Sequence, residues 1–77
     1  MDYSGAKKPN IEAVYQKYAD MLYRVALSTL QNDMDAQDAV QDVFIKYMSA
    51  KPDFKDEEHE KAWFLRVTVN RCNDMLR

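Results

Sequence analysis

Residues 35–51 read Asp35-Ala36-Gln37-Asp38-Ala39-Val40-Gln41-Asp42-Val43-Phe44-Ile45-Lys46-Tyr47-Met48-Ser49-Ala50-Lys51, and Pro52 follows. Ala36, Val40, Val43, Phe44 and Tyr47 recur at steps of three and four, the stripe of an amphipathic helix with one face to hide. Asp35 is placed to cap its start, because its carboxylate can accept from the free amides of Ala36, Gln37 and Asp38. Acids in that first turn suit the helix dipole, as do Lys46 and Lys51 near the other end, and Pro52 blocks continuation. At 100° per residue the opposite side carries Asp38, Gln41, Asp42, Ile45, Met48 and Ser49. A solvated helix face is one reading of that side. The other is a docking patch for a basic helix, with Ile45 and Met48 as the apolar anchor and the acids orienting the partner.

Upstream, Ile11, Val14, Tyr15, Tyr18, Met21, Leu22, Val25 and Thr29 form a stripe that predicts a helix from about Ile11 to Leu30. Asn10 caps it after Pro9, and Gln31-Asn32-Asp33 ends it. Downstream, a third helix is expected from Glu57 or Glu58 to the last residue, hiding Ala62, Leu65, Val69, Cys72 and Leu76. Three amphipathic helices with short connections pack as a bundle, so the expected fold is all-α. A single Gly (Gly5) and two Pro argue the same way, since sheets need turns. Residues 1–10 read as a flexible lead-in, with Tyr3 as a candidate for docking, and residues 11–77 as one helical domain. No stop signal follows Leu76, so the chain is expected to be the N-terminal piece of a longer protein.

The 77 residues are 47% apolar, enough for a core, yet a chain this short buries only about 60% of its unfolded surface. Lone Cys72 excludes an internal disulfide. No apolar run approaches the roughly 20 residues of a membrane span, and no signal peptide is evident, so a soluble cytoplasmic setting is expected. Catalysis lacks parts: there is one His, one Cys and no Gly-rich phosphate loop. His59 and Cys72 fall on different helix faces, which argues against a shared metal, and Asp33, Asp35 and Asp38 lack the Gly and distal Glu of an EF-hand. Neither an enzyme, a cofactor nor a small-molecule ligand is indicated. The net charge of −2 conceals a polarised chain: +1 over residues 1–32, −6 over 33–60 and +3 over 61–77. Such asymmetry suits two partners of opposite charge, although small domains are often lopsided for no such reason.

Two strings carry a family resemblance. Asp35 to Phe44 is similar to the region 2.2 signature D-A-E-D-x-V-Q-E-x-F of extracytoplasmic-function sigma factors of bacterial RNA polymerase. Nineteen residues after Phe44, Trp63-Phe64-Leu65-Arg66-Val67-Thr68-Val69-Asn70 resembles their region 2.4 pattern W-L-x-R-I-A-x-N. The first helix looks like region 2.1, and the resemblance covers about residues 11–77. It implies that Asp38, Gln41, Asp42, Ile45 and Met48 dock on the clamp helices of the polymerase β′ subunit. It also implies that the loop after Phe54 captures a base flipped from the non-template strand of the promoter −10 element.

On the third helix Trp63, Arg66, Asn70, Asn73 and Arg77 would then meet DNA by stacking, base-edge bonds and phosphate contacts. Trp63 suits core packing equally well, and Arg66 has an acid-pairing role as its alternative. Lys55, His59 and Lys61 are the loop groups placed to join them, but the loop Lys55–Lys61 also holds four acids, which repel phosphate. Duplex DNA binding by the domain alone is therefore expected to be weak. Family members can be held by an anti-sigma factor; whether one holds this chain is open in the sequence. The competing readings are a helical protein-interaction module and a free-standing DNA-binding regulator. The long acidic span between the second and third helices disfavours the latter.

Overall fold

The computed structural model describes residues 10–77, and the expectations for the lead-in and for Tyr3 fall outside them. Three helices follow in order: α1 (Ile11–Leu30), α2 (Asp33–Ala50) and α3 (Glu57–Met75). Each touches both others, giving the all-α bundle that the periodicity predicts. The Asn10 side chain caps α1 by accepting from the Ala13 amide at 3.1 Å. At its other end Gln31 takes the left-handed conformation (φ 54°) and its amide closes on the Leu27 carbonyl. Lys51 ends α2 in the same way (φ 47°). Such caps usually fall to Gly, which has no Cβ to crowd the carbonyl, and this chain stops two helices without one.

The start of α2 differs from expectation. Asn32, and not Asp35, is the N-cap: its Oδ1 accepts from the Asp35 amide at 2.9 Å, and the helix begins at Asp33. With Asn32 capping, Asp33 and Asp35 both lie in the first turn, where the dipole favours them.

The core has two parts. Tyr18, Leu22, Val40, Val43, Phe44, Tyr47 and Phe64 make the larger one, where all three helices meet. Phe64 is its centre, with ring centroids 4.8 Å from Tyr18, 5.3 Å from Phe44 and 5.2 Å from Tyr47. Nearer the two-residue α1–α2 joint, Ala26, Ala36, Ala39 and Cys72 pack together. So short a joint holds the backbones close, and only small side chains fit between them. Burial raises the Cys72 thiol pKa, which keeps it protonated and inert.

All five residues of the expected α2 stripe are buried, joined by Ala39. On α1, Tyr15 and Thr29 are exposed and Ala26 is buried instead. On α3 the expected stripe is rotated: of its members Cys72 is sealed and Leu65 half-buried, but Ala62 is exposed, Val69 is 44% exposed and Leu76 59% exposed, while Phe64 and Thr68 are sealed instead. Thr68 can sit there because its hydroxyl donates to the Phe64 carbonyl at 2.7 Å. A hydroxyl satisfied within its own helix no longer opposes burial, which a polar-versus-apolar reading misses. The helix also stops at Met75, with Leu76 as its cap, slightly short of the chain end.

Candidate functional site

The outer side of α2 stands as the periodicity placed it. Asp38 and Gln41 are exposed, Ile45 is 53% and Met48 49% exposed. Gln41, Ile45 and Met48, with Gln37, form one bank of an open groove of about 570 Å³ between α2 and α1, and Asp38 lies outside its lining. Its floor is Ala19, Val40 and Phe44, and its far bank is Tyr15, Asp20 and Tyr23. Tyr15, expected in the core, lays one side of its ring against Phe44 (4.9 Å between centroids) and leaves the rest open. It is thus a further apolar element of this face, recognisable only once α1 is packed on α2.

Asp42 differs from the other members of the patch. It is half-buried, and its Oδ2 accepts from Arg71 Nε on α3 at 2.8 Å. Arg71 carried no signal in the sequence, since the two residues are 29 apart and on different helices.

The connection from α2 to α3 is braced from within. Asp56 caps α3, its Oδ1 accepting from the His59 amide at 2.8 Å, and His59 Nδ1 accepts from the Lys55 amide at 3.1 Å. Nδ1 is therefore an acceptor here. Phe54 packs edge-on against His59 (5.4 Å) and Trp63 (5.9 Å). Trp63 in turn meets Tyr47 at 6.1 Å and Phe64 at 5.0 Å, yet stays partly exposed. Both roles weighed for Trp63 in the sequence are thus sterically open to it.

Three of the four acids of this stretch have partners within the fold, although only Glu60 is partly buried. Asp56 is spent on the cap. Glu57 and Glu60 both pair with Lys17 of α1, and Glu60 Oε1 accepts from the Tyr18 hydroxyl at 2.7 Å. Glu58 has no such partner among the described residues. The hydrogen bond from Lys17 holds the Glu57 carboxyl below its ordinary pKa, and Glu57 in turn raises the Lys17 ammonium.

A lowered Glu57 pKa contributes stability that is present above the ordinary glutamate value and lost as pH falls through the lowered one. A raised Lys17 pKa contributes stability present below the ordinary lysine value and lost as pH rises through the raised one. Lys17→Ala is accordingly expected to lower Tm slightly at neutral pH and to match the parent in acid, once Glu57 is protonated. A Tm difference that persists unchanged in acid counts against the pairing.

On α3, Arg66, Asn70 and Asn73 are exposed and, with Trp63 and His59, share one side of the helix at 100° per residue; Arg77, expected on this helix, is exposed beyond its cap instead. Asn70 borders a crevice with α2 that is also lined by Asp42, Lys46 and Arg71. Lys61 does not join this side. It lies toward α1, beside Lys17, Tyr18 and Met21. Lys55 is exposed in the connection, held through its backbone to His59. Among the described residues no His, Cys, Asp and Glu side chains cluster to hold a metal ion, and no helix is long and apolar enough to cross a membrane.

The profile of one family, sigma-70 region 2, matches residues 14–77, which takes in α1 from its second turn, all of α2 and α3, and every candidate site residue. The chain belongs to the sigma-70 region 2 family. Among curated proteins, this region 2 domain is 31% identical over 72 residues to the ECF RNA polymerase sigma factor SigE of Mycolicibacterium smegmatis, covering 94% of the chain and 28% of SigE. It is 29% identical over 66 residues to the ECF RNA polymerase sigma factor SigM of Mycobacterium tuberculosis, covering 86% and 34%. With the RNA polymerase sigma factor SigV of Bacillus subtilis it shares 36% identity over 55 residues, covering 71% and 33%. The region 2 domain thus spans about a third or less of the curated relatives it matches. No solved structure gives a match. The extracytoplasmic-function resemblance read from the two motifs is borne out.

Proposed function

We propose that this region 2 domain joins core RNA polymerase through the outer face of α2, against the β′ clamp helices, and holds the non-template strand of the melted −10 element along α3 and the loop before it. The observation that carries the reading is the pair Ile45 and Met48, half-exposed beside Asp38 and Gln41 on a helix whose other face is fully buried. The core is complete without them, so folding does not explain their exposure. A basic partner helix does, because apolar anchors ringed by acids steer and orient it.

The disposition of the acids supports the DNA half. With Asp56 capping and Glu57 and Glu60 bound to Lys17, most of the loop's charge is committed to α3 and α1. Trp63 offers a partly exposed ring for stacking, and Arg66 and Asn70 offer a phosphate or base-edge bond on the same side. Lys61, facing α1, is not among these groups.

Promoter opening by holoenzyme assembled with the full-length protein tests this. Asn70→Ala and Arg66→Ala should each cut transcription from the cognate promoter about tenfold or more, as a lost base or phosphate contact is worth about 1–3 kcal/mol. Both side chains are exposed, so Tm and core affinity should be unchanged. Wild-type transcription rates from both variants would leave α3 a structural helix only.

A further inference from the structure

We propose that Arg71 is a positioning residue for polymerase docking, holding Asp42 of α2 in the orientation that a cationic partner reads. This rests on the assignment of the α2 face above. The Arg71–Asp42 pair is the one ion pair among the described residues that joins α2 to α3. Arg71 Nε reaches Asp42 Oδ2 at 2.8 Å, and the two side chains remain 40% and 36% exposed. An aspartate on an exposed helix face otherwise samples several rotamers, and an incoming partner must fix one of them. Here a guanidinium anchored on a second helix has already done so. A carboxylate has two oxygens and about four acceptor sites, so the bond to Nε leaves capacity for a second cation. The neighbours Gln41 and Ile45 are exposed, so that capacity lies within the docking patch.

Two effects of removing Arg71 oppose each other, and they differ in sign. Losing a positive charge makes the face more acidic, which by itself favours a basic partner. That gain is small at physiological salt, where exposed charges are screened within about 8 Å. Losing the fixed Asp42 geometry weakens binding, and between directly bonded side chains such coupling is the larger effect.

The test is equilibrium binding of the chain to core RNA polymerase, for the parent, Arg71→Ala, Arg71→Lys, Asp42→Ala and the Asp42→Ala/Arg71→Ala double variant. Arg71→Ala is expected to bind about fivefold more weakly than the parent. Arg71→Lys, which keeps the charge and the helix but loses the planar fork, is expected to fall between them. With Asp42 already alanine, removing Arg71 should make no further difference, an outcome that general loosening of the bundle would not produce. Circular dichroism identifies any variant that fails to fold, and Arg71→Lys then carries the comparison. Unchanged or tighter binding of the Arg71 variants overturns the proposal, as does a loss that persists without Asp42. A parent chain that fails to bind core polymerase overturns the docking face itself, and this inference with it.

Discussion

Phe64→Ala is expected to remove about 3–5 kcal/mol, a large share of the stability of the whole domain. Phe64 has no exposed surface and its ring meets Tyr18, Phe44, Tyr47 and Trp63, so every helix loses a partner at once. Removing a buried Phe to the β-carbon costs about 3–5 kcal/mol, including the cavity left behind. A domain of this size is stable by only about 4–12 kcal/mol in all. The loss reaches the site too, because Tyr18 holds Glu60 and Trp63 rests on the ring that is removed. Urea titration followed by circular dichroism measures it, with Phe64→Leu as the milder control. A midpoint within experimental error of the parent would mean that the three-helix junction is not where stability resides.

The double variant Asp38→Arg/Ile45→Asp is expected to lose core polymerase binding while remaining folded. Both side chains are exposed and lack tertiary partners among the described residues, so stability should change by only about 0.5 kcal/mol per site. Truncating or reversing a central contact of a charged interface costs about 2–5 kcal/mol, which is roughly thirtyfold to several thousandfold in affinity. Asp42 is deliberately spared. Reversing its charge would set two cations against each other at the Arg71 contact, and a loss of binding could then come from disturbed α2–α3 packing. Binding of the folded double variant at parental affinity would remove the α2 face from polymerase docking.

Much of the molecule was legible before any helix was packed. The bounds of α1, the five-residue buried stripe of α2 and the exposed row Asp38, Gln41, Ile45 and Met48 all follow from spacing along one helix. Periodicity, caps and prolines act within a few residues of where they stand, so the sequence displays them directly. One of the errors was local as well. Asn32 outcompetes Asp35 for the cap because an Asn at that place leaves both aspartates in the first turn.

What the linear sequence determined by itself is therefore the number of helices, the inward face of α2 and the family to which the two motifs belong. Tertiary structure decided three other matters. It set the rotation of α3, where Thr68 is buried and Val69 is not. It opened Tyr15 onto the α1–α2 groove. It also chose the partners of the charges: Lys17 with Glu57 and Glu60, and Arg71 with Asp42. These pairs join residues 29 to 43 positions apart or lie between helices. A side chain's spacing along its own helix says which way it points, and only the packing of the other two helices says what it meets there.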